Sequence, residues 1–118
     1  MIGRCDSLHL KEKAFVYVLP IDKKAEQFKN IISDLANHYS PSLNIAFDYP
    51  FKQERILIRS DYYHFSKAGV PSLGFLTGLH PDSHTPNDTP DKLNYANMTN
   101  IARLGFALVW KEAGMGKR

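Results

Sequence analysis

An unbroken apolar stretch runs from Ala14 to Leu19 (AFVYVL), rich in β-branched and aromatic residues and closed by Pro20. That composition predicts a strand. Both of its faces are apolar, so the strand belongs inside a sheet covered on two sides. Downstream, Ala25, Phe28, Ile31, Ile32 and Leu35 recur at three- and four-residue spacing. Lys23, Lys24, Glu26, Lys29 and Asp34 fall mostly on other faces. This spacing predicts an amphipathic helix packed on the sheet, capped by Asp22 and ending near His38.

Ser40-Pro41-Ser42 is a turn, and Leu43 to Phe47 (LNIAF) reads as a second strand. Asp48 to Glu54, with Pro50, is loop, and Ile56 to Ile58 is short and apolar. Ser60-Asp61 offers a cap for a brief helix through Lys67, which Gly69 stops. Pro71 to Leu76 forms a third strand. Thr77 to Lys92 shows no periodicity and carries His80, Asp82, His84, Asp88 and Asp91 among prolines. Asn94 caps a last helix whose packed face is Met98, Ile101, Leu104 and Leu108, and Gly114 ends it.

Strand, helix, strand, short helix, strand and long helix make an α/β pattern, with helices covering a mixed or mostly parallel sheet. In such sheets ligands bind beyond the carboxyl ends of the strands, where the loop Thr77 to Lys92 is expected.

Bulk properties narrow the classes. A chain of 118 residues is one domain or part of one. Hydrophobic residues at 43% and charged residues at 23% suit a folded core rather than disorder. The net charge of +3 is scattered, with one basic cluster at Lys117-Arg118. No basic stripe or interleaved aromatics point to nucleic acid. No apolar run is long enough to span a membrane, and the start has no signal-peptide layout. The compartment stays open, since an export signal would precede Met1. The lone Cys5 forms no intrachain disulfide and no thiolate metal site, and reads as a small buried side chain.

Two clusters carry candidate chemistry. His80, Asp82 and His84 alternate, and imidazole nitrogen with carboxylate oxygen suits zinc. The same residues also suit a solvated loop whose polar side chains cap turns beside the prolines. The second cluster is RSDYYHF, Arg59 to Phe65, where Asp61 reads first as a helix cap. Ser60, His84 and Asp88 supply the residue types of a triad, but no nucleophile elbow surrounds any serine.

The runs MIGR, RSDYYHF, KAGVPSLGFLTGLHPDSHTPNDTPDKLNY and IARLGFALVW together resemble the di-zinc aminopeptidases. That family also includes glutaminyl cyclases, glutamate carboxypeptidase and the non-enzymatic transferrin receptor. The likeness runs from Met1 to about Trp110 and is most specific from Ser60 to Tyr95. It implies the C-terminal portion of a three-layer zinc-exopeptidase fold, with residues 1–118 as one partial domain.

The resemblance also implies two zinc ions sharing a carboxylate and a water, with a glutamate as general base. His84 matches the family's last zinc-binding histidine, and Asp88 supports that loop or the imidazole. His80 and Asp82 match no family ligand and would add at most a weak site. Asp61, Tyr62, Phe65 and Ser83 match positions around the substrate pocket. Tyr62 replaces the family's histidine, and Ser83 replaces a tyrosine whose hydroxyl steadies the tetrahedral intermediate. The family's other ligands and its glutamate precede the position of Met1. The expectation is an aminopeptidase-like segment, inactive alone, that forms a homo-oligomer or is completed by a missing N-terminal half. A non-catalytic binding module on the same fold is the alternative.

Overall fold

The computed structural model describes residues 2–12, 14–50 and 59–114. The apolar segment Ile56 to Ile58, part of the loop Asp48 to Glu54, Met1 and the basic pair Lys117-Arg118 lie outside them. The long apolar run forms the central strand, β1 (Phe15–Pro20). It pairs in parallel with β2 (Asn44–Ala46) and antiparallel with β3 (Leu73–Leu76), giving the order β2-β1-β3. The sheet is mixed and the chain is α/β.

Alternation along β1 builds two apolar clusters, because successive side chains point to opposite faces. Ala14, Val16 and Val18 meet Ile32, Leu35 and Ala36 of helix α1 (Phe28–Tyr39). Ile101, Leu104, Ala107 and Leu108 of the long C-terminal helix α3 (Tyr95–Glu112) join the same cluster. Val16, Val18, Ile32 and Leu104 have no exposed surface. Burying each such side chain is worth about 1.5–3 kcal/mol. On the other face Phe15, Tyr17 and Leu19 pack with Tyr49, and the His9 ring stacks on Phe15 at 3.5 Å. Both long helices thus cover one face, while loop aromatics cover the other.

Local signals set the element ends. The Asp22 carboxylate accepts from the Ala25 amide at 3.0 Å, starting a 3-10 turn (Ala25–Gln27) that leads into α1. Asn94 caps α3 by accepting from the Asn97 amide at 3.0 Å. Asp61 stands at the N-cap of the short helix α2 (Tyr62–Lys67), yet its side chain makes no cap hydrogen bond. The Ser60 carbonyl accepts from the Tyr63 amide instead. Cys5, expected to be buried, is only half-buried.

Strand direction corrects the expected placement of the long loop. β3 runs against β1, so its carboxyl end at Leu76 lies beside Tyr17 near the start of β1. The loop from Thr77 therefore leaves the carboxyl end of β3 but sits at the amino ends of β1 and β2. There it meets the segment from Gly3 to Asp6, and the Asp6 amide donates to the Thr77 carbonyl at 3.0 Å. No helix of the described residues is long and apolar enough to cross a membrane.

Candidate functional site

The loop begins with a forced departure from the sheet. Gly78 has φ +87°, and a Cβ there would collide with the Asp6 carboxylate. Glycine meets both demands, the left-handed backbone and the close approach. Asp6 is itself buried and accepts from the amides of Leu8 and His9, each at 3.1 Å, and from the Tyr17 hydroxyl at 3.0 Å. His9 Nδ1 lies 2.6 Å from its carboxylate. Burial, and then the hydrogen bond to Asp6, push the Tyr17 hydroxyl pKa well above its ordinary value. This network under the loop went unnoticed in the sequence, where neither Asp6 nor His9 belongs to a recognisable pattern.

Beyond Gly78 the chain folds into consecutive turns. The Ser83 amide donates to the His80 carbonyl at 3.0 Å, and the Ser83 hydroxyl accepts from the His80 amide at 3.2 Å. The amide and hydroxyl of Thr85 both donate to the Asp82 carbonyl, at 3.0 and 2.8 Å. Between them His84 adopts φ +61°, with its residue exposed. A left-handed conformation at a non-glycine residue costs on the order of 1–3 kcal/mol and persists only where its surroundings hold it.

Those surroundings are ionic. Arg4 reaches the loop with both terminal nitrogens, Nη1 at 2.9 Å from Asp88 and Nη2 at 2.9 Å from Asp82. Lys92 donates to the same Asp82 oxygen at 3.0 Å and to the Asn87 carbonyl at 2.7 Å. Arg4, and next Lys92, hold the Asp82 carboxyl below its usual range. Beneath the clamp the His80 imidazole is buried with no hydrogen bond to either nitrogen, and its Nε2 lies 3.8 Å from Asp88.

The alternating His80, Asp82 and His84 therefore do not converge on one point. His80 is buried, Asp82 is taken by two cations, and His84 faces outward. Asp88 hydrogen-bonds to Arg4, and the imidazole next to it is that of His80. The paper triad of Ser60, His84 and Asp88 also fails to assemble, since Asp88 faces Arg4 and Ser60 precedes α2. Among the described residues no group of three or more His, Cys, Asp or Glu is arranged to hold a metal ion. Zinc needs at least three protein ligands, so these residues alone do not fit the ion that the resemblance implies.

The remaining pocket residues lie on α2. Asp61 and Phe65 are exposed there, and the Tyr62 ring lies against Gly74 of β3. Asp22 fixes this helix, accepting from the Ser66 hydroxyl at 3.1 Å and the Ser72 amide at 3.2 Å. Burial raises the Asp22 pKa, but the donors from Ala25, Ser66 and Ser72 outweigh it, and the net shift is downward. α2 leads into the amino end of β3, whereas Ser83, His84 and Asp88 follow its carboxyl end.

Comparison with curated proteins found no match, and comparison with solved structures found none. A family model described as peptidase family M28 matches residues 4–109. The matched span takes in the Arg4 clamp, the whole His84 loop and nearly all of α3. The chain belongs to peptidase family M28.

Proposed function

We propose that this chain is the C-terminal part of a zinc-dependent aminopeptidase-like hydrolase, contributing the His84 loop to a site whose other ligands come from outside these residues. Membership of a peptidase family supports hydrolysis of peptide bonds as the reaction class. The observation that carries the reading is the exposed His84, held at φ +61° on a loop fastened by two ion pairs to Arg4. A strained and braced polar residue on a loop is a pattern associated with function. With no three-ligand group among the described residues, the chain alone is expected to show no zinc-stimulated cleavage of N-terminal residues.

The test is the size of the native polypeptide in its source cells, detected with an antibody against this chain. A product well above 13.4 kDa, carrying further His, Asp and Glu ligands, supports the reading. Zinc-dependent hydrolysis by the isolated chain overturns it.

A second reading is a binding module, or a subunit completed by another chain or a second copy. Two features favour it. β2 and β3 are the edge strands of the sheet among the described residues, and a sheet edge can accept another strand. Tyr39, Phe106 and Trp110 stand exposed between α1 and α3, beside Arg103 and Lys111. Contiguous exposed apolar surface marks an interaction site. Sedimentation of the purified chain separates the cases, because a strict monomer at all concentrations removes the second-copy form.

A further inference from the structure

We infer that Arg4 is the positioning residue of the His84 loop, locking the segment Gly3 to Asp6 and the turns from His80 to Asp88 into one rigid unit. The inference rests on the reading of His84 as the presented functional group, and it concerns how that group is held.

An exposed salt bridge is ordinarily worth little, because two long side chains lose freedom and water screens the charges. Three features set this one apart. The guanidinium addresses two carboxylates at once, each at 2.9 Å, from a side chain that is only 19% exposed. The two acceptors flank His84, so the planar fork fixes the spacing between residues 82 and 88 on either side of the strained residue. Lys92 closes a second tie on Asp82, so the turn is held from two directions.

The segment carrying Arg4 is fixed in its turn. The Gly3 carbonyl accepts from the Asn94 amide at 2.8 Å, at the start of α3. A Cβ on Gly3 would stand 2.6 Å from Leu93 Cδ2, so the backbone approaches that helix start as closely as glycine allows. The Asp6 amide holds the Thr77 carbonyl at the other end of the segment. Arg4 is thus anchored on both sides before it reaches the loop, which makes it a fixed strut. The outward pose of His84 is then set by a residue that never touches it.

The test uses the full 118-residue chain, labelled with 15N and 13C, as wild type and as Arg4→Gln, Arg4→Lys and Asp88→Asn. Amide exchange is read at Ser83, Thr85 and Asp88, with Val16 and Val18 as core controls. The one-bond Cα–Hα coupling of His84 reports its positive φ. Arg4→Gln should speed loop exchange about tenfold or more and shift the His84 coupling, while the controls stay unchanged. Arg4→Lys, which cannot span both carboxylates, should restore only part of the protection. Loop exchange and His84 coupling identical to wild type in Arg4→Gln would overturn the inference. Should Arg4→Gln fail to fold, Asp88→Asn strips one arm of its charge while keeping an acceptor oxygen, and it must still measurably loosen the loop, or the inference is lost. A zinc titration followed at the His84 imidazole keeps the two ideas apart. No tight response in the isolated chain is what a site completed from outside these residues predicts, and a tight one would overturn that reading. The exchange result decides the role of Arg4 in either case.

Discussion

The side-chain amide of Asn97, on α3, takes the place of a missing strand at Phe15. Its oxygen accepts from the Phe15 amide at 3.0 Å and its nitrogen donates to the Phe15 carbonyl at 3.0 Å. The antiparallel ladder ends at the pair Tyr17 and Leu76, so Gly78 would have faced Phe15 had β3 continued. Gly78 instead turns the loop away, and the freed peptide groups of β1 need another partner. Asn97 supplies both, which ties the start of α3 to the strand under the candidate site.

Replacing Asn97 with Ala should therefore destabilise the chain by about 2–4 kcal/mol, since two buried backbone groups lose their partners. Asn97→Asp should also be harmful, because a carboxylate cannot donate to the Phe15 carbonyl. Urea unfolding monitored by circular dichroism checks both. A cost below about 0.5 kcal/mol for Asn97→Ala would mean that water replaces the amide.

Gly78→Ala should lower stability by about 2 kcal/mol or more, from the left-handed backbone and the collision with Asp6 combined. Pairing it with Asp6→Ala should recover little of the steric part, because the Cβ at position 6 remains in collision with the added methyl, and should also lose the Tyr17 and His9 contacts. A thermal melt of the single and double variants reads this directly.

Acid and alkali should act through different groups. Asp22 and Asp82 have folded pKa values below their ordinary range, so unfolding by acid takes up protons there. Their contribution is present above about pH 4 and is lost as pH falls through the folded values. Tyr17 and Tyr49 are raised, both chiefly by burial. Their contribution is complete below about pH 10 and is lost as pH rises through the folded values. Urea unfolding followed against pH should show both limbs. Asp22→Asn should flatten the acid limb, and Tyr17→Phe the alkaline limb.

His80→Phe should be nearly neutral, within about 1 kcal/mol, or stabilising. The imidazole is buried without a hydrogen bond, so a ring of similar shape gives up no pairing. A loss of more than about 2 kcal/mol would show that its 3.8 Å approach to Asp88 carries weight.

Local pattern by itself determined the α/β class, the buried central strand, α1, α3 and the cap at Asn94. Each depends on neighbours within a turn or two, and local spacing records such neighbours faithfully. Asp22, by contrast, caps neither α1, which starts after Gln27, nor the 3-10 turn, and binds the Ala25 amide instead. The motif around Ser60 to Tyr95 carried the family, since a long run of specific residues is itself local information. Asn97 was nearly legible: it lies four residues before Ile101, on the face that Leu104 and Leu108 continue, and a polar residue there needs a buried partner.

Tertiary structure alone decided the rest. The direction of β3 came from its pairing with β1, and no residue in Leu73–Leu76 encodes that choice. Asp61 lost its expected cap because the Ser60 carbonyl served the Tyr63 amide instead. His80, Asp82 and His84 alternate in sequence, but turn geometry sends them to a buried site, an ion pair and the surface. The clamp joins Arg4 to Asp88 across 84 positions. A charge pair at that separation leaves no trace in spacing, because only the folded backbone brings its two ends within hydrogen-bonding distance.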